Sequence, residues 1–227
     1  RRVPATLETL TMQCRLLIAL TAALFFPSQL SAAEPLGFAV PKGFEVTLYA
    51  DDDLATDIFS MTIDDRGRIV VAGKSYVKVL HDDNGDGKAD RATLFSDRPK
   101  SGAHGMYFDG PDLIANGDNG IRRYRDADGD GKVDQISEPW LPMAKDTEHG
   151  ANGILKGPDG WFYQICGNDV GISKEHVRTL RSPIKSPRQG ALIRFTADGK
   201  ESEVLAEGLR TPYDIAFNDY GQVFTVD

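Results

Sequence analysis

The sequence predicts an all-β fold made of repeated four-stranded units. An acidic, glycine-rich decapeptide, HDDNGDGKAD at residues 81–90, returns 44 positions later as RDADGDGKVD at residues 125–134. Paired apolar segments around a tight turn also recur. Their turn glycines lie 43, 50 and 61 residues apart, at Gly67, Gly110, Gly160 and Gly221. Short strand-like segments with turn signals are typical of all-β proteins, and such a spacing indicates a structural repeat.

Each repeated unit contains four predicted strands joined by three turns. The first two strands flank the turn glycine, in MTIDDRGRIVVAG, MYFDGPDLIANG, ILKGPDGWFYQICG and IAFNDYGQVFTVD. In the first three units a second pair of strands follows: YVKVL with RATLF, IRRYR with QISEP, and ALIRF with SEVLA. The decapeptides join this second pair in the first two units, and the shorter TADGKE joins it in the third. Four antiparallel strands per repeat form one blade of a β-propeller.

The segment GFEVTLYADD at residues 43–52 resembles the last strand of a blade, so we predict an outer strand there. The sequence ends within the fourth unit. We therefore interpret residues 34–227 as an incomplete propeller, the N-terminal three to four blades of a domain expected to have six when complete.

Residues 1–33 are predicted to combine upstream sequence with a secretory signal peptide. They contain an apolar run at residues 16–26 and a small-residue end before Glu34, the layout of a cleaved signal. The mature chain is therefore expected to be secreted or periplasmic. Cleavage would remove Cys14 and leave Cys166 alone, which excludes an internal disulfide.

The net charge of −8 argues against nucleic acid as a partner. The two decapeptides hold eight aspartates, as many as the whole net charge, so the acidity is local. Such a concentration indicates a bound cation rather than a generally acidic surface.

Each decapeptide follows the pattern D-x-[DN]-x-D-G-x-x-D, in which oxygen ligands at alternate positions can converge on one ion. Hard oxygen ligands select Ca²⁺ over softer metals. The predicted ligands are Asp82, Asn84, Asp86, Asp90 and the Lys88 carbonyl in the first loop, and Asp126, Asp128, Asp130, Asp134 and the Lys132 carbonyl in the second.

These ions would be structural, as in the propeller-hairpin calcium loops of integrin α-subunits that the pattern resembles. An EF-hand is not predicted, because strands flank both loops and its bidentate glutamate position holds Thr93 and Ser137. The alternative is a pair of solvated Asp-Gly turns without metal.

Two further stretches, EHGANGILKGPDGWFYQICGN at residues 148–168 and GLRTPYDIAFNDYGQVFTVD at residues 208–227, carry the candidate chemistry. They resemble the soluble quinoprotein glucose/sorbosone dehydrogenases. In that family an acidic residue and a histidine precede a Gly-Pro-Asp turn, and an Arg-x-Pro segment faces the cofactor. The resemblance is closer to exported planctomycete propellers described as membrane-bound dehydrogenases, some of which carry a C-terminal haem domain.

The resemblance implies a pyrroloquinoline quinone (PQQ) site at the central channel. His149 would be the general base on a sugar or alcohol hydroxyl while hydride passes to the quinone, and Glu148 would orient the site. Arg210 would have a catalytic role as well, holding the quinone oxygens and stabilising charge on the reduced cofactor, and Thr211 would contact the cofactor. Glu148 stands where the family has aspartate, and Thr211 where asparagine is common. His104 occupies the blade position of His149 and is a further cofactor-binding candidate.

For both histidines, the alternative is a structural role in the repeat. His81 and His176 are predicted to lie at the surface, and the basic segment 173–190 is predicted to be a solvated loop.

Three functions are compatible with these features. The first is a dehydrogenase that passes electrons to a c-type haem domain or a cytochrome. The second is a non-catalytic, calcium-stabilised propeller that binds carbohydrate or protein, and the third is a lactonase-type hydrolase. The pairing of His149 with Arg210 favours the first.

Overall fold

The strands form successive antiparallel sheets whose members follow one another in sequence. The computed structural model describes residues 37–144 and 149–227, so the predicted signal peptide and Glu148 lie outside the described residues. Blade 1 contains β1 (Ser60–Ile63), β2 (Ile69–Gly73), β3 (Tyr76–His81) and β4 (Arg91–Ser96).

The next sheets repeat this order. Blade 2 contains β5 (Met106–Asp109), β6 (Asp112–Gly117), β7 (Gly120–Arg125), β8 (Gln135–Ile136) and β9 (Leu141–Pro142). Blade 3 contains β10 (Ala151–Lys156), β11 (Phe162–Cys166), β12 (Gly190–Phe195) and β13 (Ser202–Leu209). A two-stranded fourth sheet contains β14 (Ile215–Phe217) and β15 (Val223–Thr225). The predicted all-β propeller of four-stranded blades is confirmed.

The four turn glycines chosen from the sequence occupy the tight turns between the first two strands of each unit. All have positive φ angles, between 62° and 82°: Gly67, Gly110, Gly160 and Gly221. Glycine adopts this left-handed region without the steric penalty of a Cβ atom. The repeat in the sequence is therefore a repeat of backbone geometry.

The core lies between the blades, because alternate residues of a strand face opposite sides of its sheet. The junction of blades 1 and 2 buries an apolar cluster that includes Val70, Val77, Met106, Leu113 and Tyr124. The junction of blades 2 and 3 buries Ile114, Ile121, Ile154, Phe162 and Phe195 among others. Blade 3 packs on the fourth sheet through Tyr163, Ile165, Leu192 and Ile215, with Phe217 and Val223 partly buried.

Every described strand belongs to one compact unit, residues 48–227. Residues 37–47 belong to a separate unit, in which Phe44 donates its backbone N–H to Pro41 (3.1 Å). Among the described residues, no helix has the length and hydrophobicity needed to cross a membrane.

Two strand predictions are wrong in detail. The predicted strand QISEP is only two residues long, β8, and the outer edge of blade 2 resumes at β9. Pro139 lies between them and has no N–H to donate to a ladder. The segment 43–52 forms no strand, because the described part of the chain supplies no sheet to pair with it. Its Tyr49 carbonyl nevertheless accepts the Ala89 N–H (2.7 Å).

Segment 173–190 is a loop with many exposed residues, as its basic composition predicts, but it is anchored to the blades at buried positions. It begins with a 3-10 turn, Lys174–His176, and buries His176 and Ser182. The prediction that His176 lies at the surface is therefore wrong. Its Nε2 donates to the Pro142 carbonyl (2.8 Å), while Nδ1 accepts the Ser173 N–H (3.1 Å). The tertiary partners of this histidine could not be read from its hydrophilic neighbours.

Strand register gives each blade two distinct ends. In blade 3, Ala151 pairs with Cys166 and Gly190 with Leu209 at one end, which we call the site end. Phe195 pairs with Ser202 at the other, which we call the hairpin end. His149 and Arg210 directly precede β10 and follow β13 at the site end, whereas both acidic decapeptides lie at the hairpin end.

Candidate functional site

An axial cleft of about 210 Å³ lies between the first strands of successive blades. Gly105 and Gly153 line this cleft without a side chain. A Cβ atom at Gly153 would lie 2.3 Å from a carboxylate oxygen of Asp214, so a larger residue would not fit there. Polar side chains line this space from three of the four sheets: Ser60, Thr62, His104, Tyr107, Tyr213 and Asp214. Such a cleft is small by the standard of ligand pockets, so it suits a small polar molecule.

His149 and Arg210, which the sequence places 61 residues apart, meet at one turn. The turn follows β11 and contains Gly167, Asn168 and Asp169. The Asn168 side-chain oxygen lies 3.1 Å from Nδ1 of His149, and the Asn168 N–H donates to the Arg210 carbonyl (3.0 Å). Asp169 in turn donates its N–H to the His149 carbonyl (3.0 Å).

Gly167 allows this close approach. It is buried, and a Cβ there would lie 2.3 Å from the His149 carbonyl oxygen and 2.6 Å from that of Arg210. Both distances are shorter than any ordinary carbon–oxygen contact, so only glycine fits. The sequence did not indicate this role, because it depends on three segments that converge only in the fold.

The backbone of the Arg210 segment is tied to the end of the fourth sheet. The N–H groups of Arg210 and Thr211 donate to the Asp227 carboxylate at 2.8–3.1 Å. Both residues are exposed at the site end. A cationic guanidinium and a hydroxyl exposed at the site end, whose outer surface we call the mouth, are suitable donors for an anionic quinone, so the residues present fit the predicted cofactor.

His104 lines the axial cleft, as its predicted equivalence with His149 suggested. Its ring stacks on Phe59, with centroids 4.8 Å apart and planes at 16°. The Phe59 carbonyl also accepts the Tyr213 hydroxyl (2.9 Å). His104 therefore has a structural contact in addition to its channel position, and its role in cofactor binding stays a prediction.

The first acidic hairpin curls around the side chain of Asp82. Its Oδ1 accepts the Gly85 N–H (2.7 Å) and its Oδ2 the Gly87 N–H (2.9 Å). Asp90 accepts from the Asp83 N–H (2.7 Å) and the Asn84 amide (3.1 Å). Hydrogen bonds of Asp82, Asn84 and Asp90 thus close the first loop, but among the described residues carboxylate oxygens come together as a candidate metal cluster only in the second hairpin.

Asp83 is not a predicted ligand, and it faces elsewhere. A two-point ion pair with Arg91 (2.7 and 3.0 Å) holds the pKa of its carboxyl below the usual range.

The second hairpin repeats the arrangement, and its predicted ligands include one more carboxylate. Asp126 accepts the N–H groups of Gly129 (2.8 Å) and Gly131 (2.9 Å), and Asp134 accepts that of Ala127 (2.7 Å). Oxygens of Asp126, Asp128 and Asp130 lie within 4.8 Å of one another. Each carboxylate oxygen keeps a second lone pair beyond these hydrogen bonds, so the donor set fits a hard cation such as Ca²⁺. The Lys88 and Lys132 carbonyls remain predicted ligands.

Both hairpins also contact the part of the chain that precedes their own blade. Val133, in the second hairpin, donates its N–H to the Phe95 carbonyl of blade 1 (2.9 Å), just as Ala89 donates to Tyr49. In blade 3 the hairpin is short, and the guanidinium of Arg178 instead supplies the hydrogen bond to the preceding blade. It donates to the carbonyls of Trp140 (2.9 Å) and Gly199 (2.5 Å).

Cys166 is not a candidate nucleophile. It is fully buried at the end of β11, and this burial raises the pKa of its thiol far above the usual value. The thiolate needed for chemistry is therefore not formed at neutral pH.

Solved structures with a similar fold include a PQQ domain, a carbohydrate-active enzyme and a protein named for glucose dehydrogenase. The PQQ domain of a pyranose dehydrogenase from Coprinopsis cinerea is 15% identical, with a TM-score of 0.56 over 75% of this chain and 43% of its own. The calcium structure of a family AA12 carbohydrate-active enzyme from Trichoderma reesei is 16% identical, with a TM-score of 0.55 over 75% and 45%.

An oxidoreductase of the glucose dehydrogenase type from Thermus thermophilus is 18% identical, with a TM-score of 0.51 over 73% of this chain and 55% of its own. The chain spans about half the length of these structures, and the likeness shows the propeller fold.

No curated protein matches the chain by sequence. A family match, by contrast, covers residues 32–227, which is all but the first 31 residues and includes every blade, both hairpins and the His149–Arg210 junction. The chain therefore belongs to the family described as Domain of unknown function (DUF7133).

Proposed function

We propose that this chain forms part of a PQQ-dependent-type dehydrogenase that oxidises a sugar or alcohol outside the cytoplasm. The observation that carries the proposal is the junction of His149, Asn168 and Arg210 at the site end. It brings together a base and a cation that are far apart in the sequence. The structures of similar fold named for PQQ and glucose dehydrogenases support this choice among propeller functions.

The hydrogen bond that His149 donates to Asn168 sets the chemistry of the imidazole. An amide oxygen can only accept, so Nδ1 of the neutral imidazole carries the proton and Nε2 carries the lone pair. Nε2 is then the atom that takes the proton of a substrate hydroxyl.

The charge of Arg210 would hold the anionic cofactor at the mouth, with Thr211 beside it. PQQ, when bound, supplies the two-electron acceptor. Glu148 would orient the histidine segment, and a haem domain or cytochrome would receive the electrons.

Structural calcium in the two hairpins belongs to the same proposal. The oxygens of three aspartates within 4.8 Å in the second hairpin would repel one another without a cation. An ion there would stabilise the hairpin end, far along each blade from the candidate chemistry.

Replacing His149 with Gln should test the base directly in the protein loaded with Ca²⁺ and PQQ. His149→Gln keeps a polar side chain of similar size but removes the proton acceptor. Dye-linked oxidation of sugars or alcohols should therefore fall about 10²-fold or more, while PQQ binding measured by absorbance titration persists.

The matched control is His81→Gln, because His81 lies at the hairpin end, where its ring meets Thr93 (2.8 Å). It should leave the rate unchanged. Equal losses in both variants would contradict the base assignment. No PQQ binding by the calcium-loaded wild type would instead favour the non-catalytic binding propeller.

A further inference from the structure

Asn116, the second-last residue of β6, is a buried amide at the junction of blades 2 and 3. Its Oδ1 accepts the N–H groups of His104 and Gly105, both at 3.0 Å. Its Nδ2 donates to the carbonyls of Ala151 (2.7 Å) and Asn152 (3.1 Å). The amide thus joins the segment of His104 to the strand that follows His149.

Asn152 continues the connection into the fourth sheet. It is 1% exposed, and its Nδ2 donates to the Pro212 carbonyl (2.7 Å), two residues after Arg210. Beside it, the Gly153 N–H donates to the Tyr213 carbonyl (3.0 Å), and Gln164 donates to the Asn152 carbonyl (2.5 Å). The segments of His149 and Arg210 are therefore held together below the mouth.

The connection closes on itself around the axial cleft. The Tyr213 hydroxyl donates to the Phe59 carbonyl (2.9 Å), and the Phe59 ring stacks on His104. Ser60 adds a hydroxyl bond to the Ala103 carbonyl (2.7 Å). Segments from all four sheets are joined in one circuit.

Packing alone does not require an amide at the Asn116 position. The equivalent residues each stand directly before the glycine at the end of the second strand. They are Ala72 in blade 1 and Cys166 in blade 3, and both are fully buried. Burial of an amide is unfavourable unless all its hydrogen bonds are made. Blade 2 therefore buries an amide that must satisfy all its hydrogen bonds, at the junction where the candidate-site segments meet.

We propose that Asn116 and Asn152 are positioning residues that hold the segments of His104, His149 and Arg210 in register for a ligand at the site end. This rests on the proposed function for the identity of that ligand, PQQ. Neither asparagine is proposed to touch the ligand. Their effect is to fix the relative positions of groups that do.

The test combines hydrogen exchange with cofactor binding in the calcium-loaded protein. Asn116→Ala introduces the residue that blade 1 tolerates, and Asn152→Asp keeps the size of the side chain but removes its donor. Peptides covering residues 149–153 and 208–214 should exchange about tenfold faster or more, as expected for one lost hydrogen bond. The PQQ dissociation constant should rise by a similar factor, with a smaller change in kcat at saturating PQQ.

Ser182→Ala is the matched control. It removes a buried hydroxyl that bonds the Ile184 carbonyl (2.7 Å) and the Val204 N–H (2.9 Å), away from the circuit. It should lower the melting temperature without either effect.

Exchange or PQQ affinity that changes no more than in Ser182→Ala would overturn the positioning role. If exchange accelerates but the wild type binds no PQQ, the coupling of the segments stands and the proposed function fails. If Asn116→Ala does not fold, Asn152→Asp decides the result by itself.

Discussion

At the scale of single residues, Gly167 and Asn168 turn two separate sequence motifs into one junction. Gly167 has no side chain where two carbonyl oxygens approach, and Asn168 bonds both His149 and the Arg210 segment. A base and a cation that come from separate segments of the chain can act on one ligand only if their backbones are held at a fixed separation. These two residues provide that constraint at the site end.

Gly167→Ala should therefore impair both stability and cofactor binding. The added methyl group forces the His149 and Arg210 carbonyls apart, and such overpacking typically lowers the free energy of unfolding by about 1–3 kcal/mol. PQQ affinity should fall with it, as measured by titration beside urea unfolding.

Gly67→Ala is the control, since its Cβ would meet open space and only the positive φ is strained, at a cost of about 1–2 kcal/mol. A loss of PQQ affinity in Gly67→Ala as large as in Gly167→Ala would contradict the local explanation.

At the scale of elements, the hairpins between the third and fourth strands decide how the rim of each blade is held. The first two have the acidic loop, whereas the third has the short turn around Asp198, whose carboxylate accepts the Lys200 N–H (3.1 Å). All three contact the preceding segment or blade, so their rigidity bears on the junctions. Both loops hold four aspartates, but the second has one more carboxylate among its predicted ligands, because Asp128 replaces the Asn84 of the first.

Calcium should raise the melting temperature, since an ion that binds only the folded state stabilises it by mass action. Asp130→Ala should reduce this shift more than Asp86→Ala, because the second loop has the extra carboxylate to neutralise. The double variant should abolish most of it. Differential scanning calorimetry with and without chelator measures the effect.

Asp198→Ala, in the hairpin without the motif, should leave the calcium-dependent shift intact. A melting temperature that chelator does not change in the wild type would refute the metal sites.

The sequence was most informative where structure is local. The turn at Gly110 and the strand pair around it follow from residues within a dozen positions, and these predictions are confirmed. Pro139 is a local signal of the interrupted outer strand, because it has no N–H to donate to a strand ladder. Asn116 and Asn152 could not be identified, because their partners lie up to 60 residues away and are set by blade packing.

At the scale of the whole molecule, the blades form a series of junctions, each with an apolar centre and a polar bond at the rim. Tyr49, Phe95 and Trp140 supply the carbonyl acceptors, and two of the donors are hairpin N–H groups. The third donor is the side chain of Arg178, from the basic segment. With calcium in the hairpins, as proposed above, the stability of this series would depend on metal where the acidic hairpins make contact and on a guanidinium at the junction of blades 2 and 3.

Arg178→Met should weaken the junction of blades 2 and 3 by about 1.5–3 kcal/mol, the usual range for hydrogen bonds to a charged group. The loss should be the same with and without calcium, because no acidic loop takes part. Urea unfolding at saturating calcium and in chelator tests both points. Arg188→Met, at an exposed position of the same segment, should have little effect. A calcium-dependent loss in Arg178→Met would show that the junctions are not independent.

The separation of the hairpin end from the site end also concentrates aspartates at one end of the blades. Eight aspartates are gathered in the two hairpins, while His149 and Arg210 lie at the opposite ends of the strands. A positively charged electrode or membrane would therefore attract the calcium-free protein by its hairpins and leave the site end facing solution. Calcium would weaken that orientation by neutralising the attracted pole, so the same ion that stiffens the blades would also alter how the protein presents its mouth at a charged surface.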